Sequence, residues 1–235
     1  MPQQPGDFFV PNRTIIGVLG GTGQEGSGLA FRWALKGHEV IIGSRSVDKA
    51  AAAAQALNRL LAGRGSVRGG SHRDAAQAAS IVVLTVPYAA QAATAEAVRD
   101  LLAGKILIDV TVPLMPPKVD RVQLPEGGSA VVALQRRLGA GVKMVSAFQN
   151  VSATHLKDLS HEIECDVLIC GDDPASRETV AGLARDAGLR AWHAGPLANS
   201  AAAEALTSVL IAINKRYKVA GAGIRITGLP VRDEG

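Results

Sequence analysis

Short apolar runs rich in valine and isoleucine alternate along the chain with longer alanine-rich stretches. An apolar run without polar alternation suits a strand buried on both faces, and the stretches between suit helices that cover those faces. The pattern predicts an α/β fold built on a doubly wound, mainly parallel sheet of about eight strands, with a small helical part at the C-terminal end. Strands are expected at 14–20 (TIIGVLG), 38–44 (HEVIIGS), 66–70 (SVRGG, a weak one), 80–87 (SIVVLTVP), 105–113 (KILIDVTVP), 143–148 (KMVSAF), 165–171 (CDVLICG) and 189–195 (LRAWHAG). Helices are expected at 24–36, ended by Gly37, and after Ser46, which stands as an N-cap, as far as Gly63. Further helices are expected between the fourth and fifth strands, around 131–139, between each pair of the last three strands, and over 197–217. From 114 to 141 the pattern lapses into a proline and glycine stretch that reads as a long loop followed by the short helix, and long loops in compact folds tend to carry function.

At 235 residues the chain has room for one larger domain, or one domain and a small appendage. Apolar residues at 47% against 20% charged describe a globular protein. No uninterrupted apolar run approaches the roughly 18 residues that span a bilayer, so no membrane segment is expected. The opening MPQQPGDFFVPN lacks a basic, then apolar, leader pattern and reads as a flexible arm over 1–12, which makes a cytoplasmic location the expectation. The net charge of +4 is mild, the basic residues form no dense run, and aromatics are 3%, so stacking platforms for nucleic acid are scarce. A small anionic ligand fits better. Cys165 and Cys170 lie five apart in a strand pattern, facing opposite ways, and read as small buried hydrophobes. The histidines at 38, 72, 155, 161 and 193 have no ligand spacing, so surface or structural roles and no metal are expected.

Gly21, Gly23 and Gly26 form G-x-G-x-x-G between the first strand and the first helix, the context in which that pattern gains meaning. The first glycine allows the tight turn, the second lets backbone approach a pyrophosphate, and the third lets helix pack on strand. This makes the fold Rossmann-type. Thr22 adds a hydroxyl donor, and the helix N-terminus presents free N–H groups to the phosphates. An NAD site usually carries a carboxylate about 20 residues further on. Here Ser44 and Arg45 end the second strand, with Lys49 one turn later. An arginine fork chelates a 2′-phosphate that a carboxylate would repel, so the predicted cofactor is NADP(H). Thr85, Val86 and Pro87, at the carboxyl edge of the fourth strand, are expected on the nicotinamide side. The domains follow: 13–141 as the NADP-binding Rossmann domain and 142–235 as a smaller part that completes the sheet and the substrate site.

Several blocks together resemble the NADPH-dependent reductases of coenzyme F420, also called F420H2:NADP oxidoreductases. They are GVLGGTGQEGSGLAFRWALKGHEVIIGSR with the DKA that follows, VLTVP, VSAFQNVSA, CDVLICGDD, AGPLANS and RYKVAGAGIRITG, and the likeness runs from about 14 to 229. It implies NADP on the glycine turn, with a deazaflavin stacked against the nicotinamide. Its pyrophosphate contacts fall on Thr22, Gly23, Gln24 and Glu25, and its 2′-phosphate contacts on Ser44, Arg45 and Lys49. The block AFQNVSA has Gln149 and Asn150 where the family often has a histidine, and Ala201 stands where an arginine is common.

Hydride transfer between two stacked rings needs no nucleophile, and no catalytic side chain is assigned. Gln149, Asn150, Val151, Ser152, Asn199 and Thr207 are the candidate contacts to the second ring system. Lys215, Arg216, Lys218 and Arg225 could meet an acidic substrate tail, or serve as surface or dimer contacts. The long apolar C-terminal helix exceeds what one compact unit covers, which predicts a homodimer. Two other readings stay open: an NADPH-dependent reductase of a ketone, imine or flavin on the same scaffold, and a module that senses NADPH without turnover.

Overall fold

The computed structural model describes residues 14–229; the expected N-terminal arm, 1–12, lies outside them. The elements run β1 (Ile15–Leu19), α1 (Gln24–Leu35), β2 (Glu39–Ser44), α2 (Val47–Leu61), β3 (Val67–Ser71), α3 (His72–Ala78), β4 (Ile81–Leu84) and α4 (Tyr88–Glu96). They continue with β5 (Ile106–Asp109), α5 (Ala130–Leu138), β6 (Lys143–Ser146), β7 (Asp166–Gly171), α6 (Pro174–Asp186), β8 (Arg190–His193) and α7 (Ser200–Tyr217). One eight-stranded sheet has the order β3-β2-β1-β4-β5-β6-β7-β8. All neighbours pair in parallel except β6 and β7, which are antiparallel through Val145 with Gly171 and Ser146 with Cys170.

The strands are apolar on both sides because both sides are covered. Ile16, Val18, Val40, Ile42 and Val83 pack with Leu29, Trp33, Leu57 and Leu183 on one face. On the other face, Leu19, Ile41, Val82, Leu84 and Leu107 pack with Ala75, Val98 and Leu134. The Trp33 indole donates to the Leu183 carbonyl at 2.8 Å and meets Phe148 edge-on. Cys165 and Cys170 are buried and unbonded to each other, and burial pushes the Cys170 thiol up to about 11.

Two connections differ from the periodicity. Helix α3 goes unforeseen although its start is written in the sequence: the Ser71 hydroxyl accepts from the Asp74 N–H, and the Asp74 carboxylate accepts from the Ser71 N–H, a capping box. The helix expected between β6 and β7 is absent. An antiparallel step needs no crossover helix, and 149–164 is tied down piecemeal with a single 3-10 turn at Ala153–His155. The Arg32 guanidinium donates to the carbonyls of Leu156 (2.7 Å), His155 and Asp158 there, and to Ala187.

Where β6 stops alongside β7, the C-terminal tail takes over. The Asp166 N–H donates to the Ile224 carbonyl, and the buried Asp166 carboxylate accepts from the Ile226 N–H and the Trp192 indole. The segment Leu197–Tyr217 is long and apolar enough to cross a membrane by length and composition alone, and a third of its apolar window is buried in the fold. Its buried Glu204 accepts from Ser129 Oγ (2.6 Å) and the Ala130 (2.8 Å) and Val131 N–H groups, capping α5 from another helix.

Candidate functional site

The strands are shorter than their apolar runs because the last residues of each run leave the sheet. Thr85–Pro87 after β4 and Val110–Val112 after β5 turn out to line a cavity of about 870 Å³. It lies at the carboxyl edge beside the gap between β1 and β4, where the strand order reverses and open α/β sheets bind ligands. Gly23, Gln24 and Glu25 form one end. Leu114, Pro116 and Val119 of the long loop form a wall, as do Phe148–Ala153 and the α7 residues Thr207, Leu210, Ile211 and Asn214. A Lys215–Asp120 ion pair at 2.8 Å joins the two walls next to Asn214 and Val119.

The three motif glycines have separate causes. A Cβ on Gly21 would stand 2.9 Å from Ile42 Cγ2, and one on Gly26 would stand 2.4 Å from Thr85 Oγ1 and 2.8 Å from Gly21 Cα. Packing forbids both. At Gly23 the nearest atom would be the Gly20 oxygen at 3.5 Å, an ordinary contact, and the backbone has φ −75°. Neither crowding nor conformation requires a glycine there, and the bare turn stays open to the cavity it lines. Helix α1 also begins without a side-chain cap, as do α4 and α7, whereas α2, α3, α5 and α6 have one. Its first N–H groups face the same space.

This difference yields a test. Gly26→Ala should lower stability by about 2 kcal/mol through overpacking. Gly23→Ala should leave the melting curve within about 1 kcal/mol of wild type yet weaken NADPH binding at least tenfold. Thermal unfolding and NADPH titration on each variant check both halves.

In sheet order the carboxyl edge presents Ser44 and Arg45 after β2, the glycine turn after β1, Thr85–Pro87 after β4 and Val110 after β5. Three strand spacings make this a track of about 15 Å. Ser44, Arg45 and Lys49 therefore stand outside the cavity, one strand beyond the turn. Arg45 and Lys49 are exposed, and the Ser44 hydroxyl accepts from the Ser46 N–H. His72, assigned no site role from the sequence, is half-buried at the tip of neighbouring β3, and burial together with the Arg45 charge lowers its pKa. Nothing in its local sequence marks it; only the sheet order brings it to Arg45.

Of the six expected substrate contacts, Gln149, Asn150, Val151, Ser152 and Thr207 line the cavity, and Asn199 does not. Asn199 donates instead to the Ala194 carbonyl, steadying the turn before α7. The polar groups of the others are largely spent inward. The Gln149 amide donates to the Asp109 carbonyl and Ser146 Oγ, the Asn150 amide to the Asp166 carbonyl, and Thr207 Oγ1 to the Gln149 carbonyl at 2.7 Å. Ser152 Oγ donates to the Ala220 carbonyl. They hold the wall in shape more than they offer free donors. Two basic residues of the tail are likewise engaged, Lys215 with Asp120 and Arg225 with Glu162 and Glu164.

Beneath the cavity floor, Asp109 is fully buried and accepts from Gln91 (2.5 Å) and from the Thr111 N–H (2.9 Å). Burial raises it to about 6 against the pull of those bonds. It fixes the backbone turn that places Val110–Val112. Among the described residues no group of three or more metal-binding side chains occurs.

A family model described as NADP oxidoreductase coenzyme F420-dependent matches residues 15–113. An F420-dependent NADP reductase of Methanothermobacter thermautotrophicus is 42% identical over 93% of this chain and 97% of its own. The chain belongs to the F420-dependent NADP reductase family. A reductase of the same name from Methanocaldococcus jannaschii is 40% identical over 92% of this chain and 99% of its own. Among solved structures, a candidate F420-dependent NADP-reductase from Arthrobacter sp. FB24 superimposes with a TM-score of 0.76 at 28% identity, covering 92% and 100% of the two chains. The family model covers the part up to Pro113, and the two reductases match across most of the chain, the wall from 148–222 included.

Proposed function

We propose that this protein is an oxidoreductase that moves a hydride between NADPH/NADP⁺ and coenzyme F420. The observation that carries the reading is the cavity running from the uncapped glycine turn to apolar walls from the long loop and α7. In the proposed arrangement the pyrophosphate lies on Thr22–Gly26 and the 2′-phosphate meets Ser44, Arg45 and Lys49. The nicotinamide, which supplies the hydride, lies by Thr85–Pro87. The chain's part is positioning and exclusion of water: Val86, Val112, Phe148, Leu210 and Ile211 give the reacting rings a dry slot, and Glu25 and Tyr88 are the ionisable side chains lining it. Neither a paired base nor a nucleophile is called for.

The direct test mixes purified protein, NADPH and oxidised F420 and follows both absorbance bands. Loss of both in equal amounts is expected. NADPH oxidation by a carbonyl or by a flavin in place of F420 would move the reading to the broader reductase class, and binding without oxidation by any acceptor would move it to a sensor.

The proposal includes a homodimer in the cytoplasm acting on small molecules alone. Val209, Ile213 and Tyr217 are exposed at four-residue spacing on α7 and form one apolar stripe along the helix. The double substitution Val209→Glu, Ile213→Glu is expected to halve the particle mass in light scattering at micromolar concentration.

A further inference from the structure

Glu25 stands out among the cavity residues. It occupies the first turn of α1, where an uncapped helix end favours an anion, yet its Oε1 is sealed from solvent and has no hydrogen-bond partner. The segments that share the cavity with it bring no countercharge. The turn after β4 contributes Tyr88, and those after β5 and β6 and the α7 face contribute no ionisable group. Burial outweighs the helix end and pushes the carboxyl up to about 8, with no charged neighbour among the causes.

Resting on the cofactor assignment above, we propose that Glu25 distinguishes the two redox states of the bound dinucleotide. The geometry points to a carboxyl at the end of the cavity shared by the pyrophosphate turn and the nicotinamide wall. Oxidised nicotinamide carries a positive ring charge and reduced nicotinamide does not. An ionised Glu25 therefore attracts NADP⁺ more than NADPH, and a protonated one treats the rings nearly alike. Repulsion between an ionised Glu25 and the phosphates weakens both forms equally and cancels in their ratio, as does titration of the 2′-phosphate. The charge state of one side chain thereby sets the reducing power of the bound coenzyme.

The sign follows from the proton balance. Below the folded-state pKa the group is neutral and the ratio is flat. As pH rises through it, NADP⁺ gains on NADPH, by roughly tenfold for a charge pair several ångströms apart at a partly wet site. For a two-electron couple, tenfold lowers the bound potential by about 30 mV, making bound NADPH a stronger donor at alkaline pH. By reciprocity, NADP⁺ lowers the Glu25 pKa relative to the NADPH complex.

The experiment measures dissociation constants of NADP⁺ and NADPH for the full chain from pH 6.5 to 9.5 by calorimetry and NADPH fluorescence. The ratio Kd(NADPH)/Kd(NADP⁺) is expected to rise about tenfold across the range in wild type and to stay flat in Glu25→Gln. A flat wild-type ratio with NADPH binding intact overturns this inference and leaves the cofactor assignment standing. An equal rise in Glu25→Gln also overturns it, by assigning the effect to another group such as Tyr88. Failure of wild type to bind either dinucleotide overturns the cofactor assignment and this inference with it.

Discussion

Replacing Arg45 with alanine is expected to cut the preference for NADPH over NADH by about 30- to 100-fold, read as the ratio of their dissociation constants. The guanidinium stands at the tip of β2, exposed, with no internal partner among the described residues, so its donors are free for a ligand. Charge-assisted, forked contacts to a phosphate account for a factor of that size. The loss should fall on NADPH and leave NADH nearly unchanged, because the 2′-phosphate proposed to meet Arg45 is the group NADH lacks. Lys49→Ala should do the same several-fold more weakly, being an exposed point charge one turn on. Raising the salt concentration should shrink the wild-type preference, since exposed charges are screened. Folding should be unaffected in both variants. An unaltered ratio in Arg45→Ala would remove the 2′-phosphate from this strand tip.

Much of that site is legible along the chain because its parts are local. The glycine turn, the strand-end arginine and the lysine one turn later sit at fixed offsets, and each offset has its own physical reason. The cavity is different. Its walls join Gly23 to Ala222, and which residues of 148–153 face inward depends on how Arg32 and Asp109 hold the loops around them. Apolar periodicity could name Val112, Leu210 and Ile211 as buried, but not say that they bound a space instead of filling one. Five of the six candidates are polar, and the four of these that reach the cavity have their side-chain donors already engaged elsewhere. The missed helix α3 and the helix expected between β6 and β7 have one source. Where short elements are decided by capping and by long-range carbonyl contacts, hydrophobic spacing is silent.

Glu204→Ala should cost about 4 kcal/mol, the largest stability loss expected of a single substitution outside the nucleotide site. The carboxylate is buried and accepts from Ser129 Oγ and two backbone N–H groups at the start of α5. Truncation leaves those donors unsatisfied in a dry site and opens a void. Burial raises the Glu204 carboxyl, while the Ser129, Ala130 and Val131 bonds oppose the rise. A raised acid binds more protons folded than unfolded, so its contribution falls as pH increases from the unfolded-state value towards the folded one. Glu204→Gln keeps one acceptor and the side-chain volume and should lose less than half as much. Urea titration of the two variants beside wild type measures the difference.

The tail segment at Ile224–Ile226 lies against the part of β7 that β6 leaves bare. Exposed strand edges template unwanted pairing with other chains. Clipping the chain just before Gly223 would bare that edge and the Asp166 carboxylate beside it. The last few residues of this fold therefore act as a guard against aggregation, directly after Ala222, which lines the cavity.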